Sequence, residues 1–252
     1  MVVSHMSVAL DPIKPASYNV ADQARMAAAI NYFAWQARLV KPELGRRVVE
    51  IGCGSGNFTG MLLDREAVFA LDVDPECIEQ ISRRFRDRDN LRTAVSNASE
   101  LLVEPMVLDE LRQFRPDSVV CLNVLEHIQH DRGALRGMAS ILPPGGVIVL
   151  IVPAFESLYG PIDRNLGHHR RYSRASITKL AQDCGVGIKK LRYMNCAGFF
   201  GWWWNAKVLK REAQSERQIA FFDRFIVPIV SRMEARVPPP FGQSLFVVLK
   251  KP

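Results

Sequence analysis

The chain has 252 residues, 48% of them hydrophobic and 23% charged, with a formal net charge of +7. That length suits one α/β domain and is short for two, and the composition is that of a globular protein with ample core. No apolar run reaches the roughly 18 residues of a membrane span, and the positive charge favours an anionic partner or surface.

In chain order, the N-terminus lacks a basic region followed by an apolar core. No signal peptide is expected, and the reading is a cytoplasmic protein. Ser4-His5-Met6 looks like a cloning remnant and is set aside. Residues 1–45 are expected to form a helical cover. Arg47 to Ile51 reads as a strand, followed by the glycines of VVEIGCGSGNF and a short helix over Thr59 to Asp64. Ala67 to Leu71 is the next strand and closes on Asp72. Pro75 to Phe85 is helical, with Pro75 suited to a first turn. Leu91 to Val95 is a third strand, Val107 to Phe114 a helix and Asp117 to Leu122 a fourth strand. Asp131 to Leu142 is helical and stops at PPGG. Gly146 to Val152 is a fifth strand, buried on both faces, within the longest clean apolar stretch, Val147 to Phe155. Ser173 opens a helix that runs to Asp183, and Gly187 to Tyr193 is a sixth strand. Asn195 to Gly242 is rich in Phe, Trp, Arg and Pro, and reads as a cover over a site rather than a separate domain. Leu245 to Leu249 is the last strand.

Strands alternating with helices imply a parallel sheet with right-handed crossovers, which binds ligands at the carboxyl ends of its strands. The five cysteines, Cys53, Cys77, Cys121, Cys184 and Cys196, form no CxxC and are odd in number. Buried free thiols are expected.

Glycine lets the backbone pass close to a ligand and turn sharply into a helix. Here the pattern is ExGxGxG, with Glu50, Gly52, Gly54 and Gly56, rather than GxGxxG. A carboxylate two residues ahead of the first glycine is awkward beside a pyrophosphate and tolerable beside a cationic amino-acid end. Asp72, at the end of the second strand, can accept both hydroxyls of a ribose and does not discriminate. A nicotinamide dinucleotide and S-adenosylmethionine both remain open at this point.

The segments VVEIGCGSGNF, ALDVDPECI, SNASEL, DSVVCLNVLEHIQH and LPPGGVIVLIVP, in that order, resemble the motifs of class I S-adenosylmethionine-dependent methyltransferases over residues 46–153. The resemblance implies a Rossmann-like α/β fold. Its seven-stranded, mostly parallel sheet carries helices on both faces, an antiparallel last strand, and helical covers from both ends of the chain. It implies one domain: a cofactor-binding core at 46–153, a basic loop and sixth strand at 154–194, an aromatic helical insertion at 195–243 and the last strand at 244–252. It also implies S-adenosylmethionine as cofactor and S-adenosylhomocysteine as product. Gly52, Cys53, Gly54 and Gly56 would pass under the methionine and ribose. Glu50 would orient the glycine loop or bond near the cofactor's amino end. Asp72 would bind the ribose, Val73 would pack on the adenine, Asn97 and Ala98 would meet its edge, and Asn123 would lie beside the methionine. The family often has aspartate where Asn97 stands.

Methyl transfer needs nucleophile, methyl and sulfur held in line, and a base only where the acceptor carries a proton at neutral pH. Cys121-Leu122-Asn123-Val124 fits neither the base-amine nor the pyrimidine-carbon methylating pattern, so no nucleic-acid acceptor is expected. The segment Tyr159 to Ile177 gathers Asp163, Arg164, His168, His169, Arg170, Arg171, Tyr172 and Arg174. It suggests an acceptor bearing phosphate or carboxylate. His168 and His169 are the candidate bases, with His127 and Tyr172 beside them. The expectation is no metal. Glu126, His127 and His168 are the set that would hold one, since they resemble part of an ExxEH-plus-His site of small-RNA and some ubiquinone-pathway methyltransferases, with Asn123 replacing the first glutamate. Aromatics and bases in the insertion suggest either a roof over the core, an apolar acceptor pocket or peripheral contact with a membrane. The segments GHHRRYS, GWWWN and PPFGQSL resemble bacterial methyltransferases of lipid or natural-product pathways. The expected acceptor is small or lipid-like, methylated on oxygen before nitrogen or carbon. A cofactor-binding protein that catalyses a cyclisation instead is the rival reading, and the oligomeric state is left open.

Overall fold

The computed structural model describes residues 26, 28–97, 105–211, 213 and 215–252. Seven strands form one sheet in the order β3-β2-β1-β4-β5-β7-β6. They are β1 (Arg47–Ile51), β2 (Ala67–Asp72), β3 (Leu91–Val95), β4 (Ser118–Leu122), β5 (Val147–Pro153), β6 (Gly187–Met194) and β7 (Ser244–Lys250). β1 to β5 pair in parallel, and β7 runs antiparallel between β5 and β6. The chain order reverses at β1 and β4, so a crevice opens there at the strands' carboxyl ends.

Side-chain alternation divides the sheet between two cores. Val49, Ile51, Val119, Cys121, Ile148 and Leu150 face one side. There they meet α4 (Pro105–Phe114), α5 (Asp131–Ser140) and α7 (Arg174–Asp183). Val48, Val68, Val120, Val149 and Ile151 face the other side. They meet α1 (Ile30–Val40), α2 (Thr59–Leu62) and α10 (Val227–Arg236). Both faces are covered, so these strands read as unbroken apolar runs. Between them, α3 (Pro75–Arg84) starts on the Asp74 side chain, which accepts the Glu76 N–H, with Pro75 in the first turn. α7 starts on Ser173, as its sequence implies. Three cysteines are buried and two half-buried, all free.

The chain between β5 and β7 adds α6 (Pro161–Asn165), α8 (Cys196–Trp203) and α9 (Glu216–Phe221). π-turns at Trp204–Val208 and Phe222–Ile226 extend α8 and join α9 to α10. Two buried acids tie this insertion down. Asp223 accepts the backbone N–H groups of Asn31 (3.1 Å) and Tyr32 (2.8 Å) at the start of α1. Glu234 accepts those of Asn195 (3.0 Å) and Cys196 (2.8 Å) at the start of α8. A helix start offers unpaired N–H groups and a positive dipole end, and a carboxylate answers both. No described helix is long and apolar enough to cross a membrane.

Candidate functional site

The turn after β1 is built around two glycines that no other residue replaces. Gly52 has φ +74°, and a Cβ there would lie 2.2 Å from a Val124 methyl. Gly56 has φ +81°, and its Cβ would meet Ile81 and Phe85. Both backbone conformation and space demand glycine. The Gly54 N–H donates to Asp72 Oδ2 at 2.7 Å, and the Asp74 N–H donates to Asp72 Oδ1 at 3.0 Å. Asp72 thereby joins the glycine turn to the end of β2. Behind the turn, Glu50 is buried and accepts the Thr59 hydroxyl at 2.6 Å, which fixes the start of α2. Burial pushes the Glu50 carboxyl up to about 8, with the Asp72 charge adding to the rise and the Thr59 bond opposing it. Cys53 is buried in the same turn, and burial raises its thiol far above the ordinary range. Val73 stands 52% exposed on the lip after β2. Asn97 is half-buried after β3. Ala98 lies outside the described residues.

Beyond the carboxyl ends of β4 and β5 lies a cavity of about 260 Å³. Its wall includes Asn123, Glu126, His127, His168 and Arg171 from the sheet side and Tyr32, Trp202 and Phe222 from the helical covers. Asn123 is exposed in a left-handed conformation, φ +54°, directly after β4. This turn leads into the one-turn helix Leu125–His127, which aims Glu126 inward.

Glu126 is 1% exposed, and neither carboxylate oxygen has a hydrogen-bond partner. Burial lifts its carboxyl to about 7, although His168 and Arg171 oppose the rise. His168 Nε2 is 4.0 Å from Glu126 Oε1. On its other edge, His168 Nδ1 sits 2.9 Å from Asp163 Oδ1. Asp163 also accepts Arg171 Nε at 2.8 Å and the Gly160 N–H at 2.9 Å. Burial alone would raise the Asp163 carboxyl, but His168 and Arg171 hold it below the ordinary range. A carboxylate on Nδ1 fixes the ring with Nε2 turned toward Glu126. The His127 ring stands edge-on to His168, with centroids 4.6 Å apart. Burial, then the neighbouring histidines, lower His127 to about 3, so it stays neutral. One ligand atom each from Glu126, His127 and His168 lie within 4.8 Å of one another. Such a set can hold a divalent cation or relay a proton.

The basic loop is arranged differently from its sequence expectation. His169 is exposed and is absent from the cavity wall. Tyr172 is 2% exposed, and its hydroxyl bonds to Asp131 at 3.0 Å. Burial and the Asp131 charge push it far above the ordinary range, so it is a core residue with a satisfied hydroxyl. Arg170 donates to the Ile128 and Gln129 carbonyls and pairs with Asp131. Arg171 is held by Asp163 and lies over the Trp202 ring. These two arginines brace the loop, which removes much of the reason to expect an anionic acceptor. Asp163 and Glu126 are both buried beside His168, a placement that their sequence signal did not reveal. Tyr32, Trp202 and Phe222 carried no such signal beyond the aromatic richness of the covers, because their convergence depends on how the covers pack.

Comparison with known proteins agrees with the fold. A family model described as "Methyltransferase domain" matches residues 18–189. The ubiquinone biosynthesis O-methyltransferase of Neisseria meningitidis serogroup C is 24% identical over 107 residues, 41% of this chain and 42% of that protein. The enzyme of the same description from Xanthomonas campestris pv. campestris is 30% identical over 115 residues, 45% of each chain. The match thus spans less than half the length of these curated relatives. Among solved structures, a chain from the complex of the Haloferax volcanii Trm112 methyltransferase activator with a methyltransferase superposes with TM-score 0.62 and 21% identity, covering 92% of this chain and 94% of that one. The N-methyltransferase NodS of Bradyrhizobium japonicum, in complex with S-adenosylhomocysteine, gives TM-score 0.52 and 16% identity, covering 97% and 94%. At such identities the superpositions show the fold.

Proposed function

The chain belongs to the class I S-adenosylmethionine-dependent methyltransferases, and from that premise we propose that it methylates a hydroxyl oxygen of a small, lipid-like acceptor held in the 260 Å³ cavity. The observation that carries the proposal is the Glu126–His168 pair on the wall of that cavity, with Asp163 bonded behind His168. Bound S-adenosylmethionine supplies an electrophilic methyl group on a sulfonium. The residues present fit it. Gly52 and Gly56 leave the backbone bare where a Cβ would clash. Each Asp72 oxygen accepts one backbone N–H and keeps a lone pair for a ribose hydroxyl. Val73 offers apolar surface to a base, Asn97 an edge contact, and Asn123 a polar group at the methyl end. Glu50 acts at one remove, by holding α2 and the turn.

A hydroxyl is a poor nucleophile until its proton is taken, and His168 is placed to take it. Asp163 keeps the Nδ1 proton engaged, so Nε2 is the accepting atom and the imidazolium that forms is stabilised. Trp202 and Phe222 contribute apolar surface to the cavity wall. The apolar wall suits a lipid-like acceptor. This demand for a base is why oxygen is placed ahead of nitrogen or carbon.

A second reading rests on the two unpartnered Glu126 oxygens. A buried carboxylate without a donor asks for a proton or a cation. Glu126, His127 and His168 would hold a divalent ion, with Asp163 orienting His168, and the ion would acidify a hydroxyl bound to it. Titrating chelated protein with Zn²⁺ and Mn²⁺ in a calorimeter tests this: binding abolished by Glu126→Gln supports the ion, and no binding leaves the histidine base alone. The main proposal is tested by S-adenosylhomocysteine formation with amphiphilic phenols and alcohols. Product that forms without S-adenosylhomocysteine would replace methyl transfer by a cyclisation-type reaction.

A further inference from the structure

We propose that the outer face of the helix running from Glu216 to Arg236 is a docking ridge for an anionic lipid bilayer. Phe221, Phe225, Ile229, Met233 and Val237 recur at every fourth residue and are 59%, 51%, 58%, 63% and 70% exposed. In a straight α-helix a four-residue step drifts by about 40°. The wider π-turn at Phe222–Ile226 counters that drift across the first step, and Val237 follows the last residue of the helix. The opposite face is inside: Val227, Val230 and Ser231 are buried against the sheet or α1.

Charge identifies the occupant. Arg217, Arg224, Arg232 and Arg236 are exposed along the same stretch. Its two internal acids, Asp223 and Glu234, are buried and spent on the starts of α1 and α8. Among the described residues, Glu216 at the first position is the one exposed acid from 216 to 237. The Arg224 guanidinium lies 5.4 Å from the Phe225 ring centroid, beside the apolar residues. An apolar ridge flanked by arginines, on a helix that cannot cross a bilayer, matches the pattern of helices that lie in the headgroup plane. A protein partner would more often be met by charges of both signs. The nearby extension of α8 repeats the combination, with Trp203 and Trp204 half-exposed ahead of Lys207, Lys210 and Arg211.

The inner side of the same helical stretch lines the cavity through Ile219, Phe222 and Val227. A bilayer seated on the ridge would therefore lie one helix away from the proposed acceptor site. That link to the acceptor rests on the function proposed above; the docking itself does not.

The test is flotation of the full chain with vesicles of phosphatidylcholine alone and of phosphatidylcholine mixed with phosphatidylglycerol. The expected result is flotation with the anionic vesicles, reversed by salt, and little with the neutral ones. Phe225→Ser/Ile229→Ser/Met233→Ser and, separately, Arg224→Glu/Arg232→Glu/Arg236→Glu should each lose most of that binding. Both should keep S-adenosylhomocysteine affinity, which shows that they fold and separates this proposal from the cofactor reading. Wild-type protein that stays unbound, or variants that float as well as wild type, would overturn it. So would a dimer in sedimentation that Phe225→Ser dissociates without any vesicle binding, since a second copy would then occupy the ridge.

Discussion

Asp72 holds the Gly54 and Asp74 amides, and the function proposed above gives it the ribose as well. Asp72→Ala should weaken S-adenosylmethionine binding by about 1–3 kcal/mol, the range for losing a charged acceptor. Unchanged affinity in calorimetry would remove Asp72 from the site. His168→Ala should lower turnover far more than cofactor affinity. Asp163→Asn should share the turnover loss and shift the pH–rate profile, because it alters the partner of His168 Nδ1. Retained turnover in His168→Ala would make that array structural. Glu50 gives a pH prediction. Burial pushes its carboxyl in the folded protein up to about 8, from the ordinary carboxylate range near 4.5. The folded state therefore keeps a proton that the unfolded chain loses, and stability falls as pH rises from about 5 to about 8 and then levels. Glu50→Gln cannot lose that proton, so urea midpoints across this window should show a shallower fall. Equal slopes for variant and wild type would place the proton elsewhere.

At the scale of elements, the glycine turn and the insertion carry the tightest constraints. Gly52→Ala forces a Cβ to 2.2 Å from Val124 in a backbone region that alanine avoids. Cofactor binding should be lost, and shaving Val124 to alanine alongside should not restore it, because the positive φ remains. Asp223→Ala leaves two N–H groups at the start of α1 without their carboxylate. A loss of about 1–3 kcal/mol in urea unfolding is expected. A neutral result would mean that solvent reaches those amides. Elements were legible where local chemistry and packing agreed. VIVLIVP reads as a strand buried on both faces because every side chain is apolar, and it is β5. Ser173 reads as a helix start because its hydroxyl caps Ser176, and it does. The helix expected over Thr59 to Asp64 stops at Leu62, where no local signal marks an end. The π-turns were not legible, since nothing in a side-chain pattern separates a wide turn from an ordinary one.

On the scale of the whole molecule, strand ends and helical covers meet around one cavity, and a ligand that binds the folded protein stabilises it. S-adenosylhomocysteine at about a hundred times its dissociation constant should stabilise the protein by roughly 2.7 kcal/mol. The thermal midpoint of wild type should rise, and that of Asp72→Ala should rise much less. The sequence by itself determined the sheet, the cofactor class and the residues of the glycine turn. The sheet and the turn depend on local spacing: alternating apolar runs, three glycines that follow a strand, and an acid at the end of the next strand. The cofactor class came from the resemblance of the ordered motifs, since that spacing alone left a dinucleotide open. Only the tertiary structure decided which residues meet at the cavity beyond β4 and β5. Glu126 from the β4 loop, His168 and Asp163 from the β5 loop, and Tyr32, Trp202 and Phe222 from covers distant in sequence converge there. It also turned Tyr172 and Arg170 from site candidates into braces. Convergence of this kind is a matter of long-range packing, in which burial and partner identity set what each group does.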